Sequence, residues 1–433
     1  MRPDRSPPAD LPRPREWIAW VVAAFALHLL FGWFVQPRIA GAFGWEGDDG
    51  YDEIARLWIG GHGYVRWAGG PPTLERLPLY PILLAGAFRL GGERADVLVY
   101  AIQSALSALS LLPLGALASR LGGRRSCRLA LALGVVHPVG ILYNFRFMTE
   151  PLHSLLVLVF LWLLARWIED GGVARAAGSG AVLGAVLLTR SSLAPLAPLL
   201  AAAAVLARVR QLASGRRRPA AGIAAGLAAG AGCCLLVLAP WLARAGALGG
   251  GLISSGSAAA WYHGLDVSRA AWQGGAMGEV DRASDHHLEA RLRKARPDLD
   301  PADAHWELER ESLTRRLAWE KFRADPGRRA AEWLRNLVLC WYLTYTPGAT
   351  LLAALVQVPL LIAAAVAVRR RARRWPPAWW PVLALVAGLM ALQAAVYPHF
   401  RFMAPATWGA LALAAEAWAG RQCAPRGRAR TLA

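Results

Sequence analysis

The sequence predicts an all-α polytopic membrane protein: about ten transmembrane helices, with interfacial helices in a first outside loop and a long second outside loop. Three observations carry that prediction. Of 433 residues, 56% are apolar and only 18% are charged. Ten apolar stretches recur along the chain, and at roughly 20 residues per crossing of the hydrocarbon slab they occupy roughly 200 positions. The Arg residues cluster at the ends of these stretches rather than on a basic face of their own. The first two observations exclude a soluble globular enzyme. The third assigns the net charge of +19 to topology and leaves no case for a nucleic-acid partner.

Apolar spans are expected at 17–35, 97–118, 129–145, 151–168, 177–189, 192–207, 221–243, 349–368, 378–396 and 402–419. The first has the basic start and the small-residue run Ala40-Gly41-Ala42 of a signal peptide. Its apolar core nevertheless exceeds the roughly 7–15 residues such a peptide carries, so it reads as a span. The fifth and sixth are short, join at Arg190, and form a broken hairpin at the least. If the N-terminus is cytoplasmic, the inside loops and tails hold 24 Arg, whereas the short outside connections hold only Arg146, Arg190 and Arg401. That asymmetry is the positive-inside signature and puts both termini inside. The chain then divides into a cytoplasmic tail 1–16, a membrane domain 17–420 with outside loops 36–96 and 244–348, and a cytoplasmic tail 421–433, all in the plasma (inner) membrane. The five cysteines show neither metal-ligand nor framework spacing, and no structural disulfide is expected.

Both long loops carry aromatic and acidic residues on the same side, which is where chemistry is expected. In the first, Tyr51, Ile54, Ala55 and Trp58 recur at helical spacing and predict a short amphipathic helix in the interface. Pro78-Leu79-Tyr80-Pro81 then opens a more apolar half-helix through Phe88. In the second, a charged helix is expected over 302–322 with Trp306, Leu313 and Leu317 on one side. Asp325-Pro326 breaks it before a helix from Arg328 toward Tyr342.

Four short stretches hold candidate site residues. Glu46-Gly47-Asp48-Asp49-Gly50-Tyr51 puts acids just beyond the first span, where they serve either as caps for the following helix or as a general base at the lipid boundary. Thr149-Glu150-Pro151 is a good helix start, yet the turn is so short that Glu150 must lie near the first loop's acids. Arg76, ahead of Leu77-Pro78-Leu79-Tyr80-Pro81, either snorkels to headgroups or holds a lipid-linked phosphate with its planar fork. Arg401, in Tyr397-Pro398-His399-Phe400-Arg401-Phe402, is a cation in a short outside turn, against the positive-inside bias, and the same two readings apply to it.

Taken together these residues resemble the C-type glycosyltransferase superfold, and more narrowly the group of protein O-mannosyltransferases and lipid A aminoarabinose transferases. The resemblance rests on ordered landmarks: the acidic pair with Tyr51-Asp52-Glu53-Ile54-Ala55-Arg56, Arg76-Leu77-Pro78-Leu79-Tyr80-Pro81, Thr149-Glu150-Pro151-Leu152, Leu188-Thr189-Arg190, Pro240-Trp241-Leu242-Ala243-Arg244 and Arg401-Phe402-Met403-Ala404-Pro405. It implies inverting transfer of a hexose or pentose from a polyprenyl-phosphate carrier to a glycan, lipid or protein acceptor on the extracytoplasmic face. The implied catalytic residues are Asp48 or Asp49 and Glu150, with Asp48 favoured as the base; Arg76, Tyr51, Tyr80, Arg401 and His399 would bind substrate. The acidic pair lies three and two residues before Tyr51, one residue closer than in the family, and Arg76-Leu77-Pro78 stands where a basic-Pro-Pro is commoner. No cofactor is expected. A divalent metal is open, because Asp48, Asp49 and Glu150 offer hard oxygen ligands, but it is not favoured. The competing class is a polytopic transporter of a lipid-linked or small polar substrate, which calls for ionisable residues at the midplane; His28 and His137 are the ionisable residues away from span ends, and both read as satisfying local backbone groups.

The Arg distribution makes a direct prediction. Reporter fusions after Arg218 and Arg374 should read cytoplasmic and one near Pro297 should read external; an external reading at Arg374 would break the assignment.

Overall fold

The computed structural model describes residues 13–39, 49–213, 221–250, 256–272, 277–303, 305–371 and 375–421. Helices dominate them, and no strand occurs among the described residues. In chain order they are α1 (Pro14–Phe34), α2 (Tyr51–Ile59), α3 (Leu79–Gly91), α4 (Ala95–Leu109), α5 (Leu111–Val136), α6 (Glu150–Asp170), α7 (Val173–Thr189) and α8 (Ala197–Ala213). Then follow α9 (Ala221–Ala247), α10 (Ser257–Trp272), α11 (Met277–Ala295), α12 (Trp306–Arg323), α13 (Pro326–Leu339), α14 (Pro347–Arg371), α15 (Trp380–Val396) and α16 (Ala404–Arg421).

Seven segments among the described residues are long and apolar enough to cross a membrane, and an eighth, α7, is apolar but shorter. The fold is therefore the expected all-α polytopic one. Two of the expected spans are run together: residues 79–136 form one long apolar segment, bent where Gly122 and Gly123 leave helical geometry, Gly123 at φ 65°. The span expected to reach residue 145 stops at Val136, because His137 precedes Pro138 and takes extended geometry (ψ 132°).

The bundle is organised around α16. Its sequence is apolar nearly all round, as a helix surrounded by protein requires, and Trp408, Leu411, Leu413 and its alanines are almost wholly buried. It packs against α5 and α14. The two ends of the bundle differ chemically. At one end Arg371 pairs with Glu416 (2.7 Å) and Arg120 with Glu169 (2.9 Å). At the other lie the two long loops and every described residue of the candidate site. The two mid-span histidines meet backbone groups: His28 Nε2 contacts the Val135 carbonyl at 3.2 Å, and His137 Nδ1 accepts from Val139 N.

In the first loop, α2 buries Tyr51, Ile54 and Ala55 as expected, and α3 buries Tyr80, Leu84 and Phe88. In the second loop the break falls at Asp325-Pro326, with the Asp325 carboxylate accepting from Arg328 N at 3.0 Å, and the helix beyond it ends at Leu339 rather than near Tyr342. Helices α10 and α11 were not foreseen, since Leu288 and Leu292 alone mark the core face of a strongly charged α11; they pack on Tyr262 and Leu317.

Close approach of α7 and α9 depends on glycine. A Cβ placed on Gly180 would fall 1.8 Å from the Gly230 carbonyl oxygen, a backbone atom with nowhere to go. Gly180→Leu should therefore force the two helices apart and destabilise the protein by about 1–3 kcal/mol, seen as a melting temperature lowered by a few degrees in detergent. An unchanged melting temperature would mean that the pair is not tightly packed.

Candidate functional site

The site is assembled from four separate turns, each fixed by its own backbone chemistry. Gly50, at φ 75°, lets the chain swing directly from Asp49 into α2. Arg76 is held where the Tyr64 hydroxyl donates to its carbonyl (2.8 Å) just before Pro78. Glu150 is the first residue of α6, with Pro151 following. Arg401 lies in a single 3-10 turn, Phe400–Met403, and its amide donates to His399 Nδ1 at 3.0 Å.

These turns converge on the guanidinium of Arg401. Its Nη1 donates to Asp49 Oδ1 at 3.1 Å and its Nη2 to Asp49 Oδ2, while Nε donates to Glu150 Oε1 and Nη2 lies 3.4 Å from Glu150 Oε2. Arg190 reaches the far side of Glu150 Oε1 at 2.6 Å and lies 4.9 Å from the centre of the Phe402 ring. Arg76 Nε donates to the Asp49 carbonyl at 2.9 Å, its Nη2 lies 3.4 Å from Glu75, and its guanidinium sits over the Tyr51 ring at 5.3 Å. Tyr51 meets Tyr80 edge-on at 5.3 Å. Tyr80 itself is fully buried, and its hydroxyl donates to Gln103 Oε1 at 2.6 Å. Gln103 Nε2 in turn donates to the carbonyls of Asn144 and Arg146, both at 2.8 Å. Tyr80 is thus a strut that ties the first loop to the turn carrying Glu150.

Electrostatics follow from this pairing. Burial raises the Asp49 carboxyl, but Arg401 first, then Arg76 and Arg190, override it and hold it well below the usual carboxylate range. Burial likewise opposes the charge on Arg401, and its two carboxylates more than restore it. His399 is buried, which lowers it to about 3, with Arg401 and Arg190 adding to the effect, so the ring is neutral. Among the described residues its Nε2 has no hydrogen-bond partner, and its ring packs 4.5 Å from that of Tyr345.

Of the residues expected here, Asp49, Glu150, Arg76 and Arg401 come together, Tyr51 and His399 flank them, and Tyr80 braces them. Asp48 lies outside the described residues. Among the described residues the N-cap positions of α6 and α2, Thr149 and Gly50, make no side-chain cap hydrogen bond, the carboxylates of Glu150 and Asp49 are turned to Arg401, and Arg401, 7% exposed in its side chain, is turned into the protein. Among the described residues no group of three or more His, Cys, Asp or Glu has metal-ligating geometry, and the two carboxylates that meet here do so on a guanidinium.

Sequence reasoning passed over Arg190 as a site residue, although it carries the same signal as Arg401, an Arg in a short outside connection. It also missed an apolar cavity of about 230 Å³ beside His399, lined by Phe31, Leu142, Tyr143, Leu352, Val356 and Gln357 among others. No periodicity marks it, because its walls come from α1, the 137–143 turn and α14.

The architecture has counterparts among solved structures. It is similar over 94% of the chain to the oligosaccharyltransferase of Archaeoglobus fulgidus in its apo form (TM-score 0.58, 13% identity, 50% of that chain covered). The same enzyme tethered to an acceptor peptide containing the NVT sequon through a disulfide bond gives TM-score 0.57 at 14% identity, over 94% of this chain and 49% of that one. Oligosaccharyltransferase AglB of that organism, in complex with an inhibitory peptide and a dolichol-phosphate, gives 0.53 at 15% identity, over 93% and 50%. The chain thus spans about half the length of these proteins, and the likeness is one of fold. No protein-family model and no curated protein matches the sequence.

A second carboxylate controls how the loops dock. Glu307 of α12 accepts from Leu74 N at 3.0 and 3.2 Å, two residues before Arg76. Burial, helped by Glu75, pushes its carboxyl up to about 7, against the bonds from Thr73 and Leu74 and the charge of Arg66. A carboxyl raised above its ordinary value near 4.5 favours the docked state at low pH, and the advantage is lost as pH rises through 7. Hydrogen exchange across residues 64–74, corrected for intrinsic rate, should therefore be slower at pH 5 than at pH 8. Glu307→Gln should abolish the difference, and a pH-dependence that survives the substitution would assign it elsewhere.

Proposed function

We propose that the protein is a polyprenyl-phosphate-sugar-dependent glycosyltransferase working at the extracytoplasmic face, inverting at the anomeric carbon, and allied to the O-mannosyltransferase and aminoarabinose transferase group. The observation that carries this reading is the meeting of Asp49, Glu150, Arg76, Arg190 and Arg401 at one end of the bundle, near an apolar cavity lined in part by His399 and Phe400. The oligosaccharyltransferases of the same fold have been captured with a dolichol-phosphate and with an acceptor peptide, which supports a lipid-phosphate donor and a separate acceptor here. The Arg asymmetry supports cytoplasmic termini, and we place the protein in the inner membrane.

In this reading the carrier's tail lies toward the cavity between α1 and α14, and its phosphate faces Arg76, whose side chain is 29% exposed, with Arg190 behind. The acceptor hydroxyl attacks the anomeric carbon while a first-loop acid takes its proton. The bond to the carrier oxygen breaks, and the added charge on the departing phosphate is held by guanidinium donors. Asp49 is the acid with a defined place beside these groups, and we assign the base to it. Glu150 acts through Arg401 and Arg190, which it holds in position.

Loss of the gene should lead to accumulation of a polyprenyl-phosphate sugar in extracted lipids. Asp49→Asn should abolish transfer while the protein still inserts and accumulates, because an amide does not accept the proton. Arg76→Ala should raise the donor concentration needed for half-maximal rate by about tenfold to a hundredfold, with Arg76→Lys restoring only part because the planar fork is lost. Wild-type turnover by Asp49→Asn would move the base away from Asp49, and an unaltered lipid profile on deletion would remove the donor class.

A further inference from the structure

Arg401 has no free donor face. Its terminal nitrogens serve Asp49 and its Nε serves Glu150. Among the described residues, the three arginines of the site, Arg76, Arg190 and Arg401, meet three carboxylates, Asp49, Glu150 and Glu75, the last shared with Arg66, so most of the site's positive charge is countered before any substrate arrives. An anionic donor that takes the terminal nitrogens of Arg401 must displace the Asp49 carboxylate from them.

The two carboxylates on Arg401 are not equally held. The side chain of Glu150 is 1% exposed and has a second cation in Arg190, whereas that of Asp49 is 30% exposed. Parting Arg401 from Glu150 would strip a buried charge of a partner where water cannot replace it. Parting it from Asp49 leaves a carboxylate that water can reach. The weak side of the bridge is therefore Asp49, and the bond from Nε to Glu150 is the pivot.

While paired, Asp49 is also a poor base. Arg401, Arg76 and Arg190 together hold its carboxyl well below the usual range despite burial, with Tyr51 and Glu150 the other ionisable groups around it. A base so far below the working pH has little drive to accept a proton.

We propose that Arg401 changes partners during the reaction: the carrier's phosphate takes its terminal nitrogens from Asp49, and the carboxylate so released becomes the base for the acceptor hydroxyl. This rests on the donor reading given above. The step balances. The acceptor oxygen bonds to the anomeric carbon and its proton goes to Asp49. The carbon–oxygen bond to the carrier breaks with its electron pair on the phosphate, which passes from a singly charged diester to a doubly charged monoester. Asp49 loses one negative charge as the phosphate gains one, and the cation sits between them throughout. Donor binding thus arms the base, and an empty site keeps it silent.

The test is the affinity of the purified protein, in lipid nanodiscs, for undecaprenyl phosphate, read by tryptophan quenching. If Asp49 competes with phosphate for Arg401, the inactive Asp49→Asn variant binds the lipid more tightly than wild type, by about tenfold or more. In an Arg401→Ala background the same substitution gives no gain. Unchanged or weaker binding by Asp49→Asn overturns the proposal, and so does an equal gain without Arg401, which would be mere relief of negative charge. Should Arg401→Ala fail to accumulate, the infrared difference spectrum of wild type on adding the lipid decides. The carboxylate band that Asp49→Asn removes must shift, and a band that stays in place refutes the exchange. A wild-type protein that binds no undecaprenyl phosphate, in contrast, refutes the donor reading and this inference with it.

Discussion

A guanidinium withdrawn from water at the end of an apolar bundle has to be paired, and the fold is arranged so that Arg401 is. Its two carboxylate partners lie 352 and 251 residues away in sequence. Neither pairing forms unless the first loop folds back over the bundle and α6 begins where it does. Breaking either pairing would leave a charge uncompensated away from water, so this one contact ties together the starts of α2, α6 and α16.

Around it the structure supplies rigidity in layers. Tyr51, Tyr80, Gln103 and Asn144 form a continuous run of ring contact and hydrogen bonds from the first loop to the turn that holds Glu150. From the other side, Glu307 of the second loop grips the backbone at Leu74, and Arg244 donates to the Tyr64 carbonyl at 3.2 Å. Arg76 is therefore clamped between two elements that the lipid phase alone would leave free. Catalytic geometry in a loop requires such support, because loops position side chains less well than helices do.

The architecture was legible because bilayer thickness writes itself into runs of apolar residues, and because α2, α3 and the Asp325-Pro326 break carry strong local signals. The convergence of Glu150 with the acids near Asp49 was legible from the shortness of the turn before α6. What could not be read was partner choice. Nothing local to Arg401 says that its fork turns inward to Asp49 and Glu150 instead of outward to headgroups, since that is decided by elements hundreds of residues apart. The cavity beside His399 and the packing of α10 and α11 were hidden for the same reason: they are products of tertiary placement, written in no single segment. Arg190 is the exception, a residue with a readable signal that was read as topology and as part of a landmark but not as a charge of the site.

The burial of α16 at the centre of the bundle bears on how the molecule is made. This helix and the turn before it emerge late in synthesis, after the helices that surround them have entered the bilayer. Until then Asp49 and Glu150 have no Arg401 to bridge them, and the space that α16 fills is lined by helices lacking their common neighbour. A nascent chain halted short of residue 400 would hold nearly all of its membrane segments and still lack the bridge from Asp49 to Glu150. Emergence of α16 and closure of the Arg401 bridge are thus one event, and a chain without that helix lacks the contact that joins the first loop to α6.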